Sequence, residues 1–280
     1  MFKLVADEIC LESGVRLLLH SLVVGCRANG SRIRSVTVAG KSGSRDVDAR
    51  VYVDATGDAD LAFAAGVPCE KGRAADGLSQ PMTLNFRMAG VDPDRLPSRQ
   101  EITKLYLEAR SEGRVDCPRD DVLYFHTTRP GEDVLEGRRF ADRVARGSYP
   151  VDIHDPDGGG TVLKHLRPGE SYDIPYRCLV PLRVDNLLVA GRPISCTHEA
   201  HSSIRVMPIA CAVGHAAGAA AALCAGSGAA PRELPVDELQ RTLLMQGANL
   251  GRENRRCRLI KSAKAPRFHE RRRGGFVNAK

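Results

Sequence analysis

Apolar positions along this chain come in two kinds of run. The first kind is continuous: Val51-Tyr52-Val53 leads into Asp54-Ala55-Thr56-Gly57-Asp58, and Leu187-Leu188-Val189-Ala190 leads into Gly191-Arg192. Leu188 to Ala190 reads as a buried parallel strand, with Gly191 removing the Cβ where a ligand must approach the backbone, and the run at 51–53 likewise ends in a small-residue turn. After the second run a polar segment leads to Ser203-Ile204-Arg205-Val206-Met207-Pro208, where an Ala/Gly-rich helix opens and reaches about Gly226. A helix start in that place turns backbone N–H groups toward an anionic or electron-rich ligand. Ala210, Ala212, Gly214, Ala216, Ala217 and Gly218 put small residues on almost every face, so this helix can pack closely on a sheet or a flat ring.

The second kind is periodic. Phe2, Val5 and Ile9 at helical spacing predict a first helix that ends at Gly14. Residues 15–24, 33–39 and 46–53 read as strands, joined by the hairpin signal Asn29-Gly30 and a turn at 41–44. They form a three-stranded meander running into the Ala55-Thr56-Gly57 turn, with a short helix over 60–65. Ile102, Leu105 and Leu107 mark a helix over 100–110, and 152–160 reads as a long loop. Val236, Leu239 and Leu243 mark a last helix over 236–245, with Pro235 suited to its start. Between 67 and 184 periodicity weakens and Pro, Gly and charge increase.

Composition changes this picture at one end. The net charge of +7 suggests an acidic partner, yet residues 252–280 hold eleven Lys/Arg against two Asp/Glu, leaving the remainder slightly acidic. That tail lacks an aromatic ladder and a periodic apolar face, so it reads as a disordered extension rather than a nucleic-acid arm. The nine cysteines show no C-x-x-C. Cys178, Cys211 and Cys224 sit in apolar surroundings as small buried hydrophobes, which with no leader segment indicates a soluble, cytoplasmic protein.

Several motifs imitate known sites. Gly40-Lys41-Ser42 resembles the end of a P-loop but lies in a hairpin turn, and Ser35 stands where its first glycine belongs. Asp152, His154, Asp155 and Asp157 lack the spacing of a calcium loop and read as a solvated turn. Cys196, His198, Glu199 and His201 offer two metal ligands on a loop but no second cluster, so no metal is expected. No G-x-S-x-G exists to support hydrolase chemistry.

The segments Ala55-Thr56-Gly57-Asp58 and Leu187–Arg192 with Ser203–Pro208 resemble FAD-dependent oxidoreductases related to the fumarate reductase and succinate dehydrogenase flavoproteins. Also matching are Glu70-Lys71-Gly72-Arg73, Gln80-Pro81-Met82-Thr83 and Tyr172-Asp173-Ile174-Pro175-Tyr176-Arg177. The resemblance implies an α/β fold: an FAD-binding dinucleotide fold with a β-meander, interrupted by a mixed α+β substrate domain. Residues 1–66 and 185–250 would form the FAD domain, 67–184 the substrate domain and 251–280 the tail. FAD would lie on Ala55, Thr56, Gly57, Asp58, Gly191 and Arg192, with Ser203, Ile204 and Val206 beside it. Arg205 would stabilise charge on the reduced ring or else pair with a surface carboxylate, and His198 would stand nearby as a proton donor or substrate contact or else be a plain solvent-exposed histidine.

The resemblance also implies a preceding strand–G-x-G-x-x-G–helix unit, which is absent from these residues, and a longer substrate segment near Gly131-Glu132-Asp133. Three readings follow: a flavoenzyme acting on a small organic substrate, a non-catalytic remnant or part of a split flavoenzyme, and a basic-tailed interaction module.

Overall fold

The computed structural model describes residues 2–80, 97–116, 140–154, 160–167 and 169–251. Residues 1–250 form one compact unit. The expectations placed on Pro81-Met82-Thr83, on the segment around Gly131-Glu132-Asp133, on Asp155 and Asp157 and on the basic tail lie outside the described residues.

The chain enters through α1 (Phe2–Glu12), whose Leu4, Val5, Ile9 and Leu11 are exposed. β1 (Leu22–Asn29), β2 (Arg32–Gly40) and β3 (Gly43–Asp48) form the antiparallel meander. Two details differ from expectation. Residues 15–21 are not strand, because the ladder with β2 begins only at the pair Leu22↔Ala39. The last expected strand is also two: β3 closes the meander at Asp48, and β4 (Tyr52–Asp54) joins another sheet. The Tyr52 hydroxyl makes this break, accepting from Ala49 N–H and donating to the Arg34 carbonyl, both at 2.9 Å.

β4 lies parallel to β9 (Leu187–Val189): the parallel strand expected at 188–190 is present, and its partner is the segment expected to close the meander. β9 is buried on both faces. Leu187 and Val189 enter a core with Ile33, Val36, Tyr52, Leu61 and Ala62, while Leu188 enters a larger core with Ile174, Ile209, Val213, Leu239 and Leu243. Asn186, buried at the foot of β9, accepts from Ile33 N–H and donates to the Ile33 carbonyl, which fixes the meander against the parallel pair.

Between these strands lie α2 (Asp60–Ala64), α3 (Arg99–Ser111) and two antiparallel pairs, β5 (Arg143–Gly147) with β8 (Tyr172–Pro175) and β6 (Val151–His154) with β7 (Thr161–Lys164). α3 starts on a reciprocal cap between Ser98 and Glu101. The loop expected from 152 is therefore strand as far as His154. A helix also stands where a loop was expected: α4 (His198–Ile204), capped by Thr197. α5 (Met207–Ser227) and α6 (Val236–Met245) complete the unit. α5 is long and apolar enough to span a membrane, but its Ile209, Val213, Ala216, Ala217, Ala220 and Cys224 line the larger core. Cys211 is on its exposed side, against the buried position expected for it. The described residues thus mix helices and strands in the α/β manner, around one parallel pair.

Candidate functional site

The site is built at the carboxyl ends of β4 and β9, where ligands bind in open α/β sheets. Asp54 ends β4 with its side chain fully buried. One carboxylate oxygen accepts from the Thr56 N–H (3.0 Å) and hydroxyl (2.7 Å), and the other from Ala62 N–H (2.8 Å). The Thr56 hydroxyl in turn accepts from Asp60 N–H at 2.9 Å. Ala59, the residue before α2, supplies no side-chain cap, so Asp54 and Thr56 cap that helix from the strand end.

The turn between them is held open for backbone. Gly57 sits at φ 89°, and a Cβ there would come 3.1 Å from the Arg192 guanidinium. Arg192, in the matching turn after β9, donates to the Gly57 carbonyl at 2.9 Å and pairs with Asp58 at 2.6 Å. The two turns named from sequence therefore form one structure. The His201 imidazole faces the Arg192 carbonyl at 3.1 Å, which requires Nε2 to carry the hydrogen.

Burial, before any neighbouring charge, pushes the His201 pKa below its ordinary 6.5. Above that pH the imidazole is neutral in both folded and unfolded chains and contributes no slope. As pH falls below it, the unfolded chain binds the proton first and stability declines toward the lower folded-state value. His201→Gln removes this share of the acid slope, measurable as thermal unfolding temperature against pH between about 7 and 5.

α4 and α5 meet at a break. Arg205 closes α4, and Val206 turns extended before α5, whose start has no side-chain cap. The Arg205 side chain is 29% exposed, and its Nε is buried with no hydrogen-bond partner among the described residues. Its Nη2 reaches the Asp152 carbonyl (3.3 Å) and carboxylate (3.5 Å). Beside it Tyr172 donates to the Ser203 carbonyl at 3.1 Å, and burial raises its phenol pKa. Gly147 opposite makes room for that ring, since a Cβ there would lie 2.5 Å from it.

The FAD dependent oxidoreductase family model matches residues 1–129 and 126–243. The chain belongs to this family. Comparison with curated proteins gives no match, and comparison with solved structures gives none. FAD is the cofactor of the family and flavin-dependent oxidation–reduction its chemistry.

The flavin-site residues expected from sequence fall into three groups. Ala55, Thr56, Gly57, Asp58, Gly191 and Arg192 come together in the paired turns, although the Thr56 hydroxyl is already engaged in capping. Ser203, Ile204, Arg205 and Val206 form the α4–α5 joint, with the Ser203 and Ile204 side chains buried. His198 opens α4 as an exposed residue, on a helix rather than a loop. The neighbouring cluster is dispersed: Glu199 pairs with Lys164 at 2.6 Å, His201 turns to Arg192, and burial lifts the Cys196 thiol to about 12. Tyr176 is in the larger core, donating to the Pro231 carbonyl, and Arg177 stacks on Phe140.

Sequence reasoning missed Asp54 and the pair Tyr149–Asp152. Asp54 carries a signal, an acidic residue ending an apolar strand just before a helix that lacks its own cap. Tyr149–Asp152 carries none.

Proposed function

We propose that this chain holds FAD across the β4 and β9 turns and, with it, oxidises or reduces a small organic substrate. The observation that carries this reading is the buried Arg205 Nε, unpartnered among the described residues, beside the start of α5, which has no side-chain cap. Buried donors without partners are rare, and a carbonyl or anionic edge of a ligand satisfies both features. The paired glycine turns fit the rest of the group, because Gly191 leaves open space beside its backbone and the Arg192 guanidinium lies over Gly57.

Bound FAD supplies hydride or electron-pair transfer. Ala55–Asp58 and Gly191–Arg192 bind and orient it through backbone and the Arg192 guanidinium. Arg205, with backbone near Val206, stabilises negative charge at the reacting edge, and Ser203 and Ile204 fix that edge through their buried packing. His198, exposed at the head of α4, exchanges a proton with substrate or solvent. The resemblance to the fumarate reductase and succinate dehydrogenase group narrows the class, supported by the 187–208 segment.

Arg205→Ala is expected to weaken FAD binding about ten- to a hundredfold, the range for losing a hydrogen bond from a charged group. Arg205→Lys should recover part of it. Titration followed by flavin fluorescence measures both, and an unchanged dissociation constant for Arg205→Ala counts against the reading.

One observation favours a second reading, the split enzyme. Among the described residues β4 is paired on one edge only, and Val53 is 39% exposed. A parallel strand is ordinarily flanked and covered. A strand–G-x-G-x-x-G–helix unit from a partner would pair there and supply the pyrophosphate cradle. The seven described cysteines are free thiols, which supports a cytoplasmic setting. A remnant without flavin and a basic-tailed nucleic-acid module draw no support from the described residues.

A further inference from the structure

The Asp152 region, which sequence places in a solvated turn, is a hub. The Asp152 side chain is 13% exposed. One carboxylate oxygen accepts the Tyr149 hydroxyl at 2.8 Å and lies 3.5 Å from Arg205 Nη2. The other faces His154 Nε2 at 3.3 Å. Its backbone N–H donates to the Ser202 hydroxyl at 3.1 Å, and its carbonyl accepts from Arg205 and, at 3.4 Å, from Gln80. Ser202 Oγ donates onward to the Glu199 carbonyl at 2.7 Å inside α4. A single residue of β6 thus clamps the α4–α5 joint and holds one side of the Arg205 guanidinium, leaving its buried Nε without a partner among the described residues.

We propose that Asp152 is the positioning residue of Arg205 and that its charge sets how readily a flavin beside Arg205 accepts electrons. This rests on the reading that Arg205 stands at the flavin edge. Two consequences follow from one geometry. Gripping Nη2 fixes the plane of the guanidinium and the direction of Nε. The carboxylate, in a partly buried setting where charges are poorly screened, offsets part of the positive field Arg205 presents. With less offset the reduced, more negative ring is better stabilised, so the flavin is easier to reduce.

The Tyr149 phenol belongs to the same unit. Its burial first, and then its bond to Asp152, raise its pKa. That gives a readout without flavin. Around this phenol stand Asp152, Arg205, the Tyr172 phenol and, on the far carboxylate oxygen, His154.

The test compares Asp152→Asn with Glu199→Gln, which removes a carboxylate of the same sign that is exposed and paired with Lys164. In FAD-loaded protein the flavin midpoint potential is expected to move positive in Asp152→Asn and to stay in place in Glu199→Gln. An unmoved midpoint in Asp152→Asn, or an equal shift in both variants, overturns the proposal. Without flavin, the tyrosinate absorbance titration of Asp152→Asn should show one transition at lower pH than in the wild type. That difference should vanish in the Tyr149→Phe background. No difference overturns the Tyr149–Asp152 coupling. If Asp152→Asn keeps its fold by this titration yet loses FAD, Asp152 holds the site rather than tunes it, and the tuning claim falls. A wild-type chain that takes up no FAD overturns the flavin reading itself, and this inference with it.

Discussion

Asp54→Ala lowers unfolding free energy by roughly 3–5 kcal/mol and abolishes FAD retention, the largest combined effect expected of a single substitution. The carboxylate is fully buried and accepts three hydrogen bonds, two of them from backbone N–H groups at Thr56 and Ala62. Alanine leaves those donors buried with no partner, and each unsatisfied donor costs about 1–3 kcal/mol. The start of α2 loses its stand-in cap together with the geometry of the Thr56-Gly57-Asp58 turn. Native stability is of the order of 5–15 kcal/mol, so the variant remains foldable but marginal. Thermal denaturation gives the first number and flavin absorbance after desalting the second. A variant that keeps both unfolding temperature and flavin would show that the turn does not depend on Asp54.

Leu188→Ala should cost about 2–5 kcal/mol, the range for a fully buried leucine replaced without collapse of the site. Leu243→Ala on α6 is the matched control, since Leu243 is equally buried in the same core. Stability alone does not separate the two. Leu188 lies three residues before Gly191, so its cavity also loosens the turn that carries Arg192. The expected pattern is a similar loss of stability in both variants, with FAD affinity clearly weakened only in Leu188→Ala. Equal affinities would mean that β9 packing and the turn are uncoupled.

What was legible in the sequence followed from local signals. The parallel strand β9 was readable because strands buried on both faces are continuously apolar, as at Leu187–Val189, whereas its partner β4 was read as the end of the meander. α3 and α6 were readable from apolar spacing, and α6 also from Pro235 at its start. α4 was not, because seven residues of polar and small character carry no apolar period, and its cap at Thr197 is a weak signal alone. The buried side of α5 was not readable either. Ala and Gly on every face leave the choice to the tertiary core, which is how Cys211 came to be exposed. Residues 15–21 are apolar enough for a strand, but pairing length is set by the partner β2. Of the site, the two turns were legible as motifs. Their joining by Arg192, and the engagement of Asp152 with Arg205, depend on residues 53 to 135 positions apart.

The most direct measurement is the visible spectrum of the purified chain after incubation with FAD and removal of free flavin, beside Asp54→Ala. The expected result is a flavin spectrum that stays with the wild-type chain and is lost from the variant. A wild-type chain that emerges colourless would contradict the claim that the β4 and β9 turns of this chain hold FAD.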